Sequence, residues 1–383
     1  MSERARQAGD PSRHDARAPD DGPSCRVGGS GVNRVQPFRV LGEVAVGLDP
    51  EGVVVDPATG LAYVACSRSN CVTIVDLEDL AVVERVGVGL EPIDVVFDER
   101  CGRVLSADAR SDQLSVVDVT TRRVVATVPV GMYPAGLGID PEGRRIFCGN
   151  TMGCTLSVID LDSLQEIATV EAELGAGAVA YDPRLGRIFC VNFVAASVTV
   201  IDGGDLSVVE RLAVGDGPCA VAVNPVLDEV YVVNSLKSTV ARFSASSLEL
   251  LGEIAVPSAP VGLAAGPLGD RIYTGNRGDG SMSISGIDGT EWARVPVGAA
   301  PGGVTVHPVD PRRLLVANAG SGSLTVVEDL LDAAPLAILE AARHPLVGSR
   351  LPDFALPDLH SDELRHSREW SEKKYILNFF ASW

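Results

Sequence analysis

From Phe38 to Glu328 the apolar positions fall into short runs rich in Val, Ile and aromatic residues, broken by Asp-Pro, Asn and Gly turns, with no helical period between them. The breaks are regular. A turn-forming pair recurs as Asp56-Pro57, Asp98-Glu99, Asp140-Pro141, Asp182-Pro183, Asn224-Pro225, Gly266-Pro267 and His307-Pro308, spaced by 42 residues five times and then by 41. A second column starts at 61, 103, 145, 187, 229, 271 and 313 and reads LAYVAC, RVLSAD, RIFCGN, RIFCVN, EVYVVN, RIYTGN and RLLVAN, with a constant spacing of 42. A third column (VTIVD, LSVVD, LSVID, VTVID) ends at Asp76, Asp118, Asp160 and Asp202, and a fourth (VVERVGVG, VVATVPVG, VVERLAVG) ends at Gly89, Gly131 and Gly215. Four strands per unit and seven units predict an all-β, seven-bladed propeller over residues 37–329. Near-continuous apolar strands such as DVVF and VTIVD suit sheets covered on both faces by neighbouring blades.

Counting strands predicts how the ring closes. The seventh repeat lacks its outermost strand, whereas residues 38–47, FRVLGEVAVG, match the outermost-strand pattern and precede the first innermost strand. They are expected to pair with the seventh blade. Residues 1–36 hold almost no large apolar side chains and read as a disordered tail. Residues 330–344 read as a linker of helical composition.

With 51 Asp and Glu against 32 Lys and Arg, the formal charge of -19 argues against nucleic acid or anionic lipid as a partner. No apolar run reaches the roughly eighteen residues of a membrane helix, and the first residues lack a signal-peptide core, so the cytoplasm is the expected location unless the start is misassigned. The eight cysteines (25, 66, 71, 101, 148, 154, 190 and 219) form no C-x-x-C and are expected to be buried free thiols. Cys66 and Cys71 flank a four-residue loop and are placed to face each other across a hairpin.

Antiparallel alternation puts the loops that enter the innermost strands on the same face as the loops leaving the second strands. That face is the channel mouth, and its candidate ligand-binding side chains are Asp49, Arg68, Glu91, Arg110, Tyr133, Asp216, Lys237 and Arg277. The expected partner is a protein or a small molecule. No catalytic set, metal site or cofactor is implied, because His307, the only propeller histidine, falls in a turn on the opposite face. The column of Asn150, Asn192, Asn234, Asn276 and Asn318, with Asp108 and Cys66 in register, reads as turn-capping residues.

The endings YVVN, IYTGN and LLVAN, with VTVID and VG at fixed offsets, resemble YVTN-type propeller repeats, whose relatives include lactonase-like and surface-layer propellers. Residues 345–383 change character: Pro352-Asp353-Phe354, Leu356 and Asp358 lead to a polar helix-like run ending near Lys374 and to the strand Tyr375 to Phe380 before Ala-Ser-Trp. That order resembles the first part of a redoxin, thioredoxin-like α/β domain. The resemblance implies a thiol-disulfide oxidoreductase or antioxidant role for a longer product, with the active-site cysteines lying beyond this chain. A ligand- or protein-binding propeller without redox chemistry, and a lactonase-like enzyme, are the alternatives.

Overall fold

The computed structural model describes residues 37–331, together with the backbone of Ala355–Pro357 and Leu364–His366. Seven four-stranded antiparallel sheets follow one another around a channel, six of them running from an innermost strand outward in chain order. The first blade comprises Pro50–Val55, Leu61–Cys66, Cys71–Asp76 and Ala81–Gly87. The seventh comprises Pro301–Val306, Arg313–Asn318 and Ser323–Asp329, completed on its outer edge by Phe38–Ala45. The ring therefore closes as the missing strand requires.

The closing ladder runs from Phe38 opposite Asp329 to Ala45 opposite Ser323, with a bulge between Val40 and Gly42 that the strand count did not foresee. Val44 and Val46 enter the core between blades seven and one beside Val64, Leu315 and Val326, while Leu41 packs on its edge. The other interblade cores are built alike. Tyr63 and Ile74 of blade one meet Val95, Val104 and Val117 of blade two, and Tyr63 stacks on Phe97 at 6.4 Å. β-branched side chains fit such two-sided burial because they pack well on a pleated surface.

Within each blade the two middle strands pair without interruption, whereas the ladders to the innermost and outermost strands carry a bulge. Bulges add twist, which suits sheets that narrow toward an axis. Approach at that axis is close. A methyl group on Gly262 would run into the carbonyl of Gly302 in the next blade, so the position needs glycine.

Of the segments outside the ring, residues 1–36 and the linker 330–344, apart from Leu330 and Leu331, lie outside the described residues, as does the strand expected at Tyr375 to Phe380. Ala355–Pro357 and Leu364–His366 pair as a short antiparallel hairpin. Leu364–His366 of the stretch expected to be helix-like thus lie in a strand, and the rest of that stretch lies outside the described residues.

Candidate functional site

The channel-mouth face has one backbone design in all seven blades. The residue before each innermost strand sits in the left-handed region: Asp49, Glu91, Tyr133, Gly175, Gly217, Ala259 and Ala300, with φ between 49 and 85°. Beside it, two N–H groups of the loop after the second strand bond to two carbonyls of the entering loop. The pairs run from Ser67 to Asp49 and Arg68 to Leu48 in blade one, through Ala109 to Glu91 and Arg110 to Leu90, to Ala319 to Ala300 and Gly320 to Ala299 in blade seven. The rim is thus welded by main chain, and only its side chains differ.

Those side chains divide the ring. At the left-handed position blades four and five carry Gly, blades six and seven Ala259 and Ala300, and blades one to three the larger Asp49, Glu91 and Tyr133. In the five blades with a Cβ there the conformation costs about 1–2 kcal/mol. Side-chain acceptors on the preceding blade hold two of the larger three: Asn70 Oδ1 accepts Glu91 N–H at 2.9 Å, and Asp112 Oδ1 accepts Tyr133 N–H at 2.8 Å. The Glu91 carboxylate accepts the Tyr133 hydroxyl at 2.5 Å and pairs with Arg110 at 2.5 Å. Burial and the neighbouring Glu91 push the Tyr133 phenol up to about 12.

Asp49, Arg68 and Arg277 line a second cluster, around a cavity of about 300 Å³ whose floor is the small residues Ala300, Ala319 and Gly320 of blade seven. Arg68 lies 3.9 Å from Asp49, and Arg277 reaches across to Glu51 at 3.1 Å. Burial raises the Glu51 carboxyl above the ordinary range, with Arg277 opposing the shift. Deeper in the channel, Asp94 accepts N–H groups from Val95 and from Leu137 of the next blade, both at 2.9 Å, and burial pushes it up to about 6.

Six of the eight sequence-predicted residues therefore gather into two clusters, and two stand apart. Lys237 turns outward and pairs with both oxygens of Glu253 at 2.8 Å. The exposed Asp216 carboxylate has no hydrogen bond or ion pair among the described residues. Glu51 and Asp94 were missed, although both belong to the loop sequences GLDPEG and GLEPID. The asparagine column is occupied internally: Asn150 Nδ2, for example, donates to Thr155 at 3.0 Å and to Ser157 at 2.9 Å. His307 Nδ1 accepts N–H groups of Val309 and Asp310 in its turn. Among the described residues no group of three or more His, Cys, Asp or Glu side chains is placed to hold a metal.

The rim also exposes a run of large apolar side chains that the sequence reading passed over. At the two welded loop positions stand Leu48 in blade one, Leu90 in two, Met132 and Met152 in three, Leu174 and Val194 in four, and Leu236 in five, each more than half exposed. The same positions hold Ser258 and Gly278 in blade six and Ala299 and Gly320 in blade seven.

Comparison with known proteins agrees with this architecture: residues 37–266 match the family model described as YNCE-like beta-propeller. The chain belongs to the YNCE-like beta-propeller family. Its repeats were read above as YVTN-type, and the shared content of the two readings is the seven-bladed ring. A chain of the Kuenenia stuttgartiensis hydrazine synthase structure is similar to this YNCE-like propeller with a TM-score of 0.68 at 20% identity, over 74% of this chain and 96% of that one. At that identity the likeness is one of fold. No curated protein matches the sequence.

Proposed function

We propose that this YNCE-like propeller is a binding module that docks a protein partner through its channel-mouth face. The observation that carries the reading is the apolar arc at welded rim positions in five consecutive blades. Single exposed apolar residues are ordinary, but a series of them at equivalent positions of a rigid rim, here interspersed with Arg68, Arg110 and Asp216, marks an interaction surface. Blades six and seven build the same backbone with small residues, so the fold does not require the arc. Beside it, the Glu91, Arg110 and Tyr133 cluster supplies directional polar contacts of the kind that fix register. With a formal charge of -19 the chain repels a second copy of itself and attracts a partner carrying apolar anchors among Lys and Arg.

A random-sequence peptide display library panned on the immobilised protein tests this. Retained peptides are expected to combine apolar and basic residues, to weaken with added salt, and to be lost on Leu174→Ser with Leu236→Ser. They should persist on Ile167→Ser, an exposed residue of an outermost strand. No retained peptides, or retention indifferent to the rim changes, overturns the reading. The thiol-disulfide role implied by the resemblance of residues 345–383 rests on that sequence order alone.

A further inference from the structure

The hairpin between the second and third strands of every blade ends on a residue pair facing across the loop. In six blades the pair is polar: Asp108 with Gln113, Asn150 with Thr155, Asn192 with Ser197, Asn234 with Thr239, Asn276 with Ser281 and Asn318 with Ser323. In each of the six the two side chains are hydrogen-bonded, as Asn192 is to Ser197 at 3.0 Å and Asn318 to Ser323 at 3.2 Å. The fold thus calls for a cross-hairpin tie at this place. Blade one fills it with Cys66 opposite Cys71, both free thiols.

We infer that Cys66 and Cys71 are a reversible dithiol-disulfide site, in which oxidation by a low-molecular-weight disulfide converts the tie into a covalent one. Directly opposed residues of an antiparallel pair have Cα atoms about 4.5–5.5 Å apart, inside the window of about 4.4–6.8 Å that a disulfide spans. The sulfurs already share a partner: Thr73 Oγ1 lies 3.5 Å from Cys66 Sγ and 3.7 Å from Cys71 Sγ. The pair is chemically asymmetric. Hydrogen bonding from the Cys66 thiol lowers the Cys71 pKa against the effect of burial, with Thr73 and Arg85 assisting, whereas Cys66 is raised by the same bond and by burial. Cys148 and Cys190 are raised by burial and have no such neighbour across their hairpins, where Ser157 and Thr199 stand opposite.

The chemistry balances without another component. The Cys71 thiolate attacks the small disulfide and releases one thiolate, which takes up a proton. Cys66 then loses its proton and attacks the Cys71 sulfur of the mixed disulfide, expelling the second small thiol. Two protein thiols are oxidised and one disulfide is reduced to two thiols. The site lies at the ring seam, since Thr73 Oγ1 donates at 3.0 Å to the carbonyl of Val46, on the segment joining the closing strand to blade one. It also flanks the short 3-10 turn Ser67–Ser69 that carries Arg68 to the channel mouth.

The full chain is incubated with oxidised glutathione, unfolded in the presence of an alkylating agent, digested and weighed by mass spectrometry. Peptides spanning Cys66 and Cys71 should escape alkylation and lose the mass of two hydrogens, dithiothreitol should reverse the change, and Cys148 and Cys190 should stay alkylated. In a Cys71→Ser variant with unchanged circular dichroism, Cys66 should be alkylated as before oxidation. Full alkylation of both cysteines in the oxidised wild type, or a glutathione adduct on Cys71 that never resolves, overturns the assignment.

Discussion

The two faces of the ring share one backbone repeat but use their side chains in opposite ways. On the face away from the channel mouth, polar groups are turned inward and cap the turns. Asp56 caps its turn through Ala58 N–H, Asp140 through Gly143 N–H and Asp182 through Arg184 N–H, each at 2.9 Å. Arg144 leaves its own turn to form a bidentate pair with Asp98 of the preceding blade at 2.6 and 2.9 Å. On the channel-mouth face the joint common to all blades is made by main chain. Side-chain ties such as Asn70 to Glu91 and Asp112 to Tyr133 are added only in some blades, and several large side chains face solvent. What recurs blade after blade is scaffold. The differences between blades, namely Asp49, Glu91 and Tyr133 against Gly and Ala, and the apolar arc against Ser, Ala and Gly, are where binding specificity can reside.

The largest expected effect removes both faces together. Deleting residues 38–47 takes away two buried valines, two partly buried side chains and the outer ladder of blade seven. At about 1.5–3 kcal/mol per buried side chain and half that for the two partial ones, the loss is about 4.5–9 kcal/mol, against a typical domain stability of about 5–15 kcal/mol. Thermal unfolding followed by circular dichroism should show no cooperative transition. An unchanged transition would sink the closure by this strand.

The second prediction separates the faces. Arg144→Met leaves the Asp98 carboxylate buried without its cation and should cost about 3–5 kcal/mol. Arg110→Ala, which removes a mostly exposed partner of Glu91, should cost under about 1 kcal/mol. Urea unfolding of the two variants reads the difference directly. If Arg110→Ala proves as costly as Arg144→Met, the mouth cluster is part of the scaffold and the contrast between the faces fails. Acid supplies a cross-check. Although burial works against its charge, Asp98 is held below the ordinary carboxylate range by Arg144, so this stabilisation is complete above the unfolded value of about 3.9 and is lost as pH falls through the folded one.

How much of this was legible in the sequence depended on the bulges. The count of blades and the closing strand follow from a constant spacing of 42, because each blade must bury its faces on two neighbours. The identity of the channel-lining acids does not follow. The innermost strands break register between Pro50 and Val53 and between Pro92 and Asp94, so simple alternation misplaces Glu51 and Asp94. Lys237 was assigned to the mouth by its loop, but four rotatable carbons let its ammonium reach Glu253 on the outermost strand. The apolar arc was invisible for a different reason: Leu48, Leu90 and Leu174 look like the ends of ordinary buried strands until the left-handed residue after each lifts them onto the rim.

The smallest expected effect probes the scaffold face at the one turn capped by a histidine. His307 stands where blades one to five have Asp or Asn and blade six has Gly266, and its neutral Nδ1 accepts N–H groups from Val309 at 3.2 Å and Asp310 at 3.0 Å, the same capping role. Burial lowers its pKa, Arg313 lowers it further, and Asp310 works in the other direction. The folded state therefore binds the proton less readily than the unfolded chain, whose histidine titrates near 6.5. The stabilisation from this turn is complete above about 6.5 and is lost as pH falls through the lowered folded value, where a protonated ring offers no acceptor to the two N–H groups. His307→Asn keeps an acceptor and does not titrate, so its stability relative to wild type should rise as pH drops from neutral to mildly acid. A constant difference across that range would show that the imidazole is not the turn's acceptor.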